Sequence, residues 1–284
     1  MTVKLAAALR PDGGQSFADL AAKAREVGFR CLALPFEPGW DQARLLGLRE
    51  ACDRAGVEIA ALDCHCNFLT PREDEVRENF ARLGAALRAG ALLNSNLVIT
   101  HAGSRHPDPS QPYAPDPENW ADRTWDMLIQ RIWALLDEVE DNGVCLCFEP
   151  RPTTTLNTLE ALAELVADAT SVRVGIALDP VAVMTGEAGQ ESGRALAEIF
   201  ARLADTIRAA YATDLEVVEA GEELRARPVA LGHGCLDYPT YLKLLDALRE
   251  DTPLIVRARG SGAAWRRERE FLAQAAEQAG INLA

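Results

Sequence analysis

The chain lacks most of the features that would place it outside ordinary small-molecule metabolism. No apolar stretch approaches the roughly 20 residues a membrane-spanning helix needs, so no membrane association is expected. The start, Met1-Thr2-Val3-Lys4, has no charged segment followed by an apolar block. A secretory leader is therefore not expected, and the expectation is a cytoplasmic protein. No basic stripe offsets a formal charge of −14, and such an acidic surface repels phosphate backbones, which excludes nucleic acid as the expected partner. No G-x-G-x-x-G follows the first apolar run, which argues against a dinucleotide-binding sheet. Linkers and low-complexity segments are absent too, so residues 1–284 read as one domain. The seven cysteines include no C-x-x-C. The two Cys-x-Cys pairs, Cys64/Cys66 and Cys145/Cys147, sit in apolar runs. They read as small packing residues before they read as a soft metal site.

What is present is an alternation. Apolar strand candidates occur at Val3–Leu9, Cys31–Pro35, Glu58–Cys64, Asn96–Thr100, Val144–Phe148, Arg173–Leu178, Ile207–Thr213 and Pro253–Arg257, with helical patterns between them. Ser16 and Asp19 form a capping-box pattern opening a helix that Gly28 stops. Pro71–Arg88 and Trp120–Asp141 read as long helices. Eight strand–helix units predict a parallel sheet closed into a single (β/α)₈ TIM barrel. Two connections are long, Gly103–Asn119 and Asp214–Asp237, and both fall on the face where barrel enzymes carry lids.

Four of the runs end in a chemically capable residue: His65, His101, Glu149 and Asp179. Strand C-termini of a barrel converge on one mouth, so two imidazoles and two carboxylates distant in sequence are expected to meet. A carboxylate ending an apolar strand is seldom structural, because burying it unpaired is costly. Arg151 lies just beyond Glu149 and is either a contact for an anionic substrate or a solvated loop residue.

At these strand ends the chain resembles the sugar phosphate isomerase/epimerase family, the xylose-isomerase-like barrels. The pieces carrying the resemblance are Cys64-His65-Cys66-Asn67-Phe68, Thr100-His101-Ala102-Gly103, Phe148-Glu149-Pro150, Leu178-Asp179-Pro180 and the turn Leu231-Gly232-His233-Gly234-Cys235-Leu236-Asp237-Tyr238, in that order. The resemblance implies a divalent metal held by Glu, Asp, His and Glu from the fifth to eighth strands, with proton transfer beside a sugar carbonyl. The first two positions are Glu149 and Asp179. Tyr211 stands where the His is expected, and Arg257 stands where the second Glu is expected. Ala33 and Ala182 replace two further family residues, and His233 occupies a turn position where relatives often carry Glu.

A cation beside a cation is unfavourable, so Arg257 is expected to replace the metal and to pair with Glu149 or Asp179. A strand register two residues later puts Arg259 there instead. The expected function is an isomerase or epimerase of a sugar or hydroxy-keto acid that uses no metal. Glu149 is its general base, Arg257 stabilises an enediolate, and His65, His101, Asp179, Tyr211, Arg151 and His233 bind substrate. The alternative cofactor is a single divalent ion (Mn, Zn, Mg or Co) on His65, His101, Glu149 and Asp179. The alternative function is a non-catalytic member that binds a sugar or a partner protein, and a homodimer is left open. Zinc-dependent DNA repair on the same barrel is disfavoured, because four histidines and no basic groove are too few.

Overall fold

The computed structural model describes residues 2–10, 16–221, 223–249, 251–258 and 262–284. In chain order the elements are β1 Thr2–Ala8, α1 Phe17–Glu26, β2 Cys31–Pro35, α2 Gln42–Ala55, β3 Glu58–Asn67, α3 Glu73–Leu92, β4 Leu97–His101, a 3₁₀ turn Pro117–Trp120, and α4 Asp122–Glu138. There follow β5 Cys145–Phe148, α5 Leu159–Ala169, β6 Val174–Leu178, α6 Pro180–Val183, α7 Gly186–Gln190, α8 Ser192–Leu203 and β7 Ile207–Ala212. The last are β8 Asp214–Ala220, β9 Glu223–Val229, α9 Tyr238–Asp246, β10 Pro253–Val256, α10 Gly262–Ala279 and β11 Asn282–Leu283.

Eight parallel strands run in the order β1-β2-β3-β4-β5-β6-β7-β10, and β10 pairs back to β1, which closes the barrel. This is the expected (β/α)₈ architecture. The two faces of each strand have different partners. The outward residues pack under the helices in one large core that includes Leu32, Leu62, Val98, Leu146 and Leu178. The inward residues form a second, smaller cluster: Ala6, Cys31, Ala33, Ala61, Cys145, Cys147, Ala177 and Ala209, with bulk from Leu97, Ile99, Tyr211 and Ile255. Small side chains on most strands leave the interior room for one large ring, Tyr211. No helix among the described residues is long and apolar enough to cross a membrane.

The Ser16 capping box forms, with Ser16 Oγ accepting from Asp19 N at 3.1 Å. Several boundaries differ from the expectation. β3 runs three residues further than expected, through His65 to Asn67. The third helix starts at Glu73 and continues to Leu92. The fourth helix is shorter than Trp120–Asp141, because Pro117 opens a separate 3₁₀ turn before Ala121 breaks to extended backbone. The stretch expected as a long loop after the seventh strand contains the antiparallel hairpin β8–β9. Arg259 falls outside the described residues.

Candidate active site

Strand alternation decides which side chains reach the mouth. On β3, Ala61, Asp63 and His65 share the inward face, while Cys64 and Cys66 are buried against the helices. On β5 the inward series is Cys145, Cys147 and then Glu149. Ile255 pairs with Tyr211 across β10 and β7, so Arg257, two residues on, faces inward above Tyr211. The thiols of Cys145 and Cys147 lie 3.8 Å apart inside the barrel, and all seven cysteines are free.

The centre of the mouth is an ion pair. Arg257 Nη1 donates to Glu149 Oε1 at 2.7 Å and Nη2 donates to Oε2 at 2.6 Å, a two-pronged arrangement. Glu149 is 4 % exposed. Burial pushes its carboxyl up, and the hydrogen bonds and charge of Arg257 outweigh burial and hold it at about 2. The guanidinium carbon also stands 3.6 Å from the centroid of the Tyr211 ring. Between its two candidate partners Arg257 takes Glu149. Asp179 is occupied elsewhere, accepting from Thr213 Oγ1 at 2.8 Å and from Val181 N at 3.1 Å, where it caps α6. Burial and then the Glu149 charge push the Asp179 carboxyl up to about 6.

The two expected histidines meet. The rings of His65 and His101 have centroids 4.3 Å apart, and His65 Nε2 lies 3.7 Å from Glu149 Oε2. His101 is fully buried. Its Nδ1 lies 3.2 Å from the carbonyl of Glu149, and its Nε2 lies 3.0 Å from Arg151 Nε. A guanidinium only donates, so Nε2 accepts and the proton sits on Nδ1, bonded to that carbonyl. Burial pulls His101 down to about 4, and burial with the His101 charge pulls His65 to about 3, so both rings are neutral. Arg151 is half-buried and stacks on Tyr113, 4.7 Å from its centroid.

Tyr113 comes from the long connection after β4, which the hydrogen bonds pin down. Asn67 clamps Ser104 from both sides, its Nδ2 donating to the carbonyl and its Oδ1 accepting from the amide, each at 2.8 Å. Asn119 Oδ1 accepts from Arg105 N at 2.7 Å, and Thr153 Oγ1 donates to the Tyr113 carbonyl at 2.7 Å. Gly103 has φ +84°, and a Cβ there would lie 2.0 Å from Asn67 Oδ1, so only glycine lets the strand end turn into this loop.

A cavity of about 520 Å³ opens above the pair, lined in part by Arg10, Asp63, His65, Arg151, Arg257 and Trp265. Asp63 was not singled out from the sequence. Its signal was available: it lies two residues before His65 and so on the same face of β3. Asp63 Oδ1 is buried without a hydrogen-bond partner. Burial raises its carboxyl to about 6, against the opposing charge of Arg257.

His233 is exposed in the turn after β9 and does not line this cavity, which corrects its expected role. The glycine-rich turn around it is a structural clamp. The buried Asp214 carboxylate accepts from the backbone amides of Leu215, Gly232, Gly234 and Leu236 at 2.9 to 3.1 Å.

His65, His101 and Glu149 bring ligand-type atoms within 4.8 Å of one another. In this arrangement they do not fit a divalent cation. The acceptor nitrogen of His101 is taken by Arg151, and both oxygens of Glu149 are taken by Arg257. His65 alone keeps a free lone pair, and two guanidiniums would flank the ion.

Residues 21–275 match the family model for the xylose isomerase-like TIM barrel. No curated protein matches the chain in sequence. Among solved structures, a xylose isomerase-like TIM barrel protein from Mycobacterium smegmatis in complex with magnesium superposes with a TM-score of 0.71 at 16% identity over 98% of each chain. An L-ribulose 3-epimerase superposes at 0.70 and 14% identity, covering 99% of this chain and 96% of that one. A D-psicose 3-epimerase from Clostridium cellulolyticum H10, solved with D-tagatose, superposes at 0.65 and 13% identity over 98% and 96%. With its closed eight-stranded barrel and a match over residues 21–275, the chain belongs to the xylose isomerase-like TIM-barrel family.

Proposed function

We propose that this protein is a metal-independent isomerase that moves a proton on the carbon next to a carbonyl of a small carbohydrate or hydroxy-keto acid. The observation that carries the reading is the Arg257–Glu149 pair, which places a fixed positive charge where the family resemblance implies a metal. The epimerases among the structural neighbours support a carbohydrate ligand.

The division of labour differs from the one expected from sequence. Glu149 is a poor base, because both its oxygens already accept from Arg257 and its carboxyl is held at about 2. It acts as the anchor that fixes the guanidinium. Arg257, still donating through its remaining N–H groups, polarises the substrate carbonyl and stabilises the enediolate oxygen. Asp63 lines the cavity with one carboxylate oxygen unpartnered, and a carboxyl near 6 is poised for proton transfer near neutral pH. In the proposed step the Asp63 carboxylate removes the proton from the carbon beside the carbonyl. The C–H electron pair forms the enediolate C=C, and the carbonyl pair moves onto oxygen facing Arg257. Asp63 then returns the proton to the former carbonyl carbon, the proton of the adjacent hydroxyl passes to the enediolate oxygen at Arg257, and the electron pair left on the adjacent oxygen forms the new carbonyl. One base on one face suits aldose–ketose isomerisation better than epimerisation, which calls for a second base opposite. His65, neutral and with Nε2 unpartnered, accepts from a substrate hydroxyl. Tyr211 supports the Arg257 guanidinium and Asp179 is held by Thr213 and the Val181 amide; neither lines the cavity, so neither is assigned a substrate contact.

The same locked pair favours a second reading, a carbohydrate-binding member without turnover, since the retained glutamate is neutralised. Proton exchange decides between them. Aldoses, ketoses and hydroxy-keto acids incubated in D₂O with chelator present are followed by NMR. Deuterium uptake beside the carbonyl that is lost in Asp63→Asn supports the enzyme. No uptake with any of them supports the binding protein.

A further inference from the structure

The mouth is more basic than the chain that builds it. The protein has 43 acidic and 29 basic side chains. Yet the cavity is lined by Arg10, Lys23, Arg151 and Arg257, and Asp63 is the one acidic lining residue among the described residues. Arg257 has Glu149. Arg10 and Arg151 make no ion pair with any carboxylate among the described residues, although acidic side chains are abundant elsewhere on the molecule.

Arg151 is held in place without being neutralised. Its backbone amide bonds the Leu156 carbonyl at 3.0 Å, which fixes the turn after β5. Its Nε donates to His101, and its plane lies over Tyr113. Both contacts are with neutral groups. The two Nη nitrogens have no partner among the described residues, and the side chain lines the cavity. A guanidinium keeps its charge at every physiological pH, and its planar fork matches carboxylate and phosphate. Here the rotamer is already fixed, so little ordering entropy is lost when an anion docks. Arg10 follows β1, four strands around the ring from β5, and adds positive potential from the opposite rim. About 520 Å³ is room for a sugar-sized molecule.

We propose that the Arg151 fork is the anchor for an oxyanion group, a carboxylate or a phosphate, on a small carbohydrate whose other end lies at Arg257 and Asp63. The inference deepens the carbohydrate reading of this cavity and rests on it. Neutral sugars are then poor ligands, because they leave Arg151 desolvated and unpaired.

Calorimetric titration of the full chain with D-glucuronate, inorganic phosphate and D-glucose tests this at low and high salt. The expected result is that at least one acidic probe binds about tenfold or more tightly than D-glucose, that salt weakens it, and that Arg151→Gln lowers its affinity about tenfold or more while Arg10→Gln has a smaller effect. Glucuronate binding without phosphate binding identifies a carboxylate, and the reverse identifies a phosphate. Arg151→Lys, which keeps the charge and loses the fork, is expected to fall between wild type and Arg151→Gln, and thermal unfolding checks that each variant is folded. Equal binding of D-glucose and the acids, binding unchanged in both Arg151 variants, or no binding of any probe overturns the proposal. Acid binding through Arg151 in a protein that exchanges no substrate proton removes the enzyme reading and leaves the anion site standing. Proton exchange on neutral sugars that ignores Arg151 does the opposite.

Discussion

Arg257 rests on Tyr211, its guanidinium carbon 3.6 Å from the ring centroid, and the two residues reach this contact from neighbouring strands. The Tyr211 hydroxyl beneath is buried and has no hydrogen-bond partner. The ring therefore serves the cation, while the hydroxyl is left near the Glu149 carboxylate without a hydrogen bond of ordinary geometry. Tyr211→Phe is expected to leave the thermal midpoint unchanged or raise it, since an unsatisfied buried polar group is removed. Tyr211→Leu keeps apolar bulk, loses the cation–ring attraction, and is expected to cost about 1–2 kcal/mol. Denaturant unfolding of the two variants separates ring from hydroxyl.

The Arg257–Glu149 pair stabilises through mutual satisfaction. Arg257→Met strands a buried carboxylate, and a loss of about 3–5 kcal/mol is expected. The double variant Glu149→Met with Arg257→Met is expected to recover most of that loss. A double-mutant cycle by denaturant unfolding checks this, and near-additive losses would contradict it.

Much of this site was legible in the sequence. Apolar runs ending in His65, His101, Glu149 and Arg257 were enough, because barrel closure brings every strand end to one mouth and alternation fixes which residues face it. Three things were not legible. Asp63 sits inside β3, which runs to Asn67, so it did not look like a strand end. The β8–β9 hairpin is charged and mostly half-buried, with Gly221 at φ +72°; β8 has no sustained apolar alternation, and in β9 the alternation of Leu224 and Ala226 is short and runs into Pro228, a poor strand residue. The occupation of Glu149 and His101 by arginines depends on side-chain geometry across strands, which spacing does not encode.

Acid stability should report the site. The carboxyls of Asp63 and Asp179 sit near 6 in the native state against an ordinary 3.8. Between those values the native state holds protons the unfolded chain has lost, so each costs stability as pH rises. His65 and His101 sit near 3 and 4 against 6.5, so the unfolded chain binds protons the native state refuses, and each adds stability as pH rises. The two pairs oppose one another between about pH 4 and 6, and their summed contribution there is nearly flat. Glu149, near 2 against 4.5, contributes stability that is lost as pH falls below about 4.5. Asp63→Asn removes one opposing group, so its stability is expected to rise more steeply than wild type from pH 4 to 6. Parallel curves in denaturant unfolding would contradict the Asp63 assignment.

The Asp214 clamp gives a prediction remote from the cavity. A Cβ at Gly234 would lie 2.2 Å from the Leu215 carbonyl oxygen and 2.3 Å from Asp214 Oδ1. Gly234→Ala is expected to cost about 1–3 kcal/mol through displaced backbone. His233→Ala, in the same turn but exposed, is expected to change neither stability nor ligand binding. Thermal unfolding and calorimetry of the two variants check this.

Whether a guanidinium stands in place of a metal is tested most directly by elemental analysis of protein purified without chelator or affinity tag, before and after soaking in divalent ions. A metal-free site gives no stoichiometric Mn, Zn, Mg or Co in either sample. Near-stoichiometric metal that disappears in His65→Ala or Glu149→Gln would contradict it and assign the His65–His101–Glu149 group to an ion.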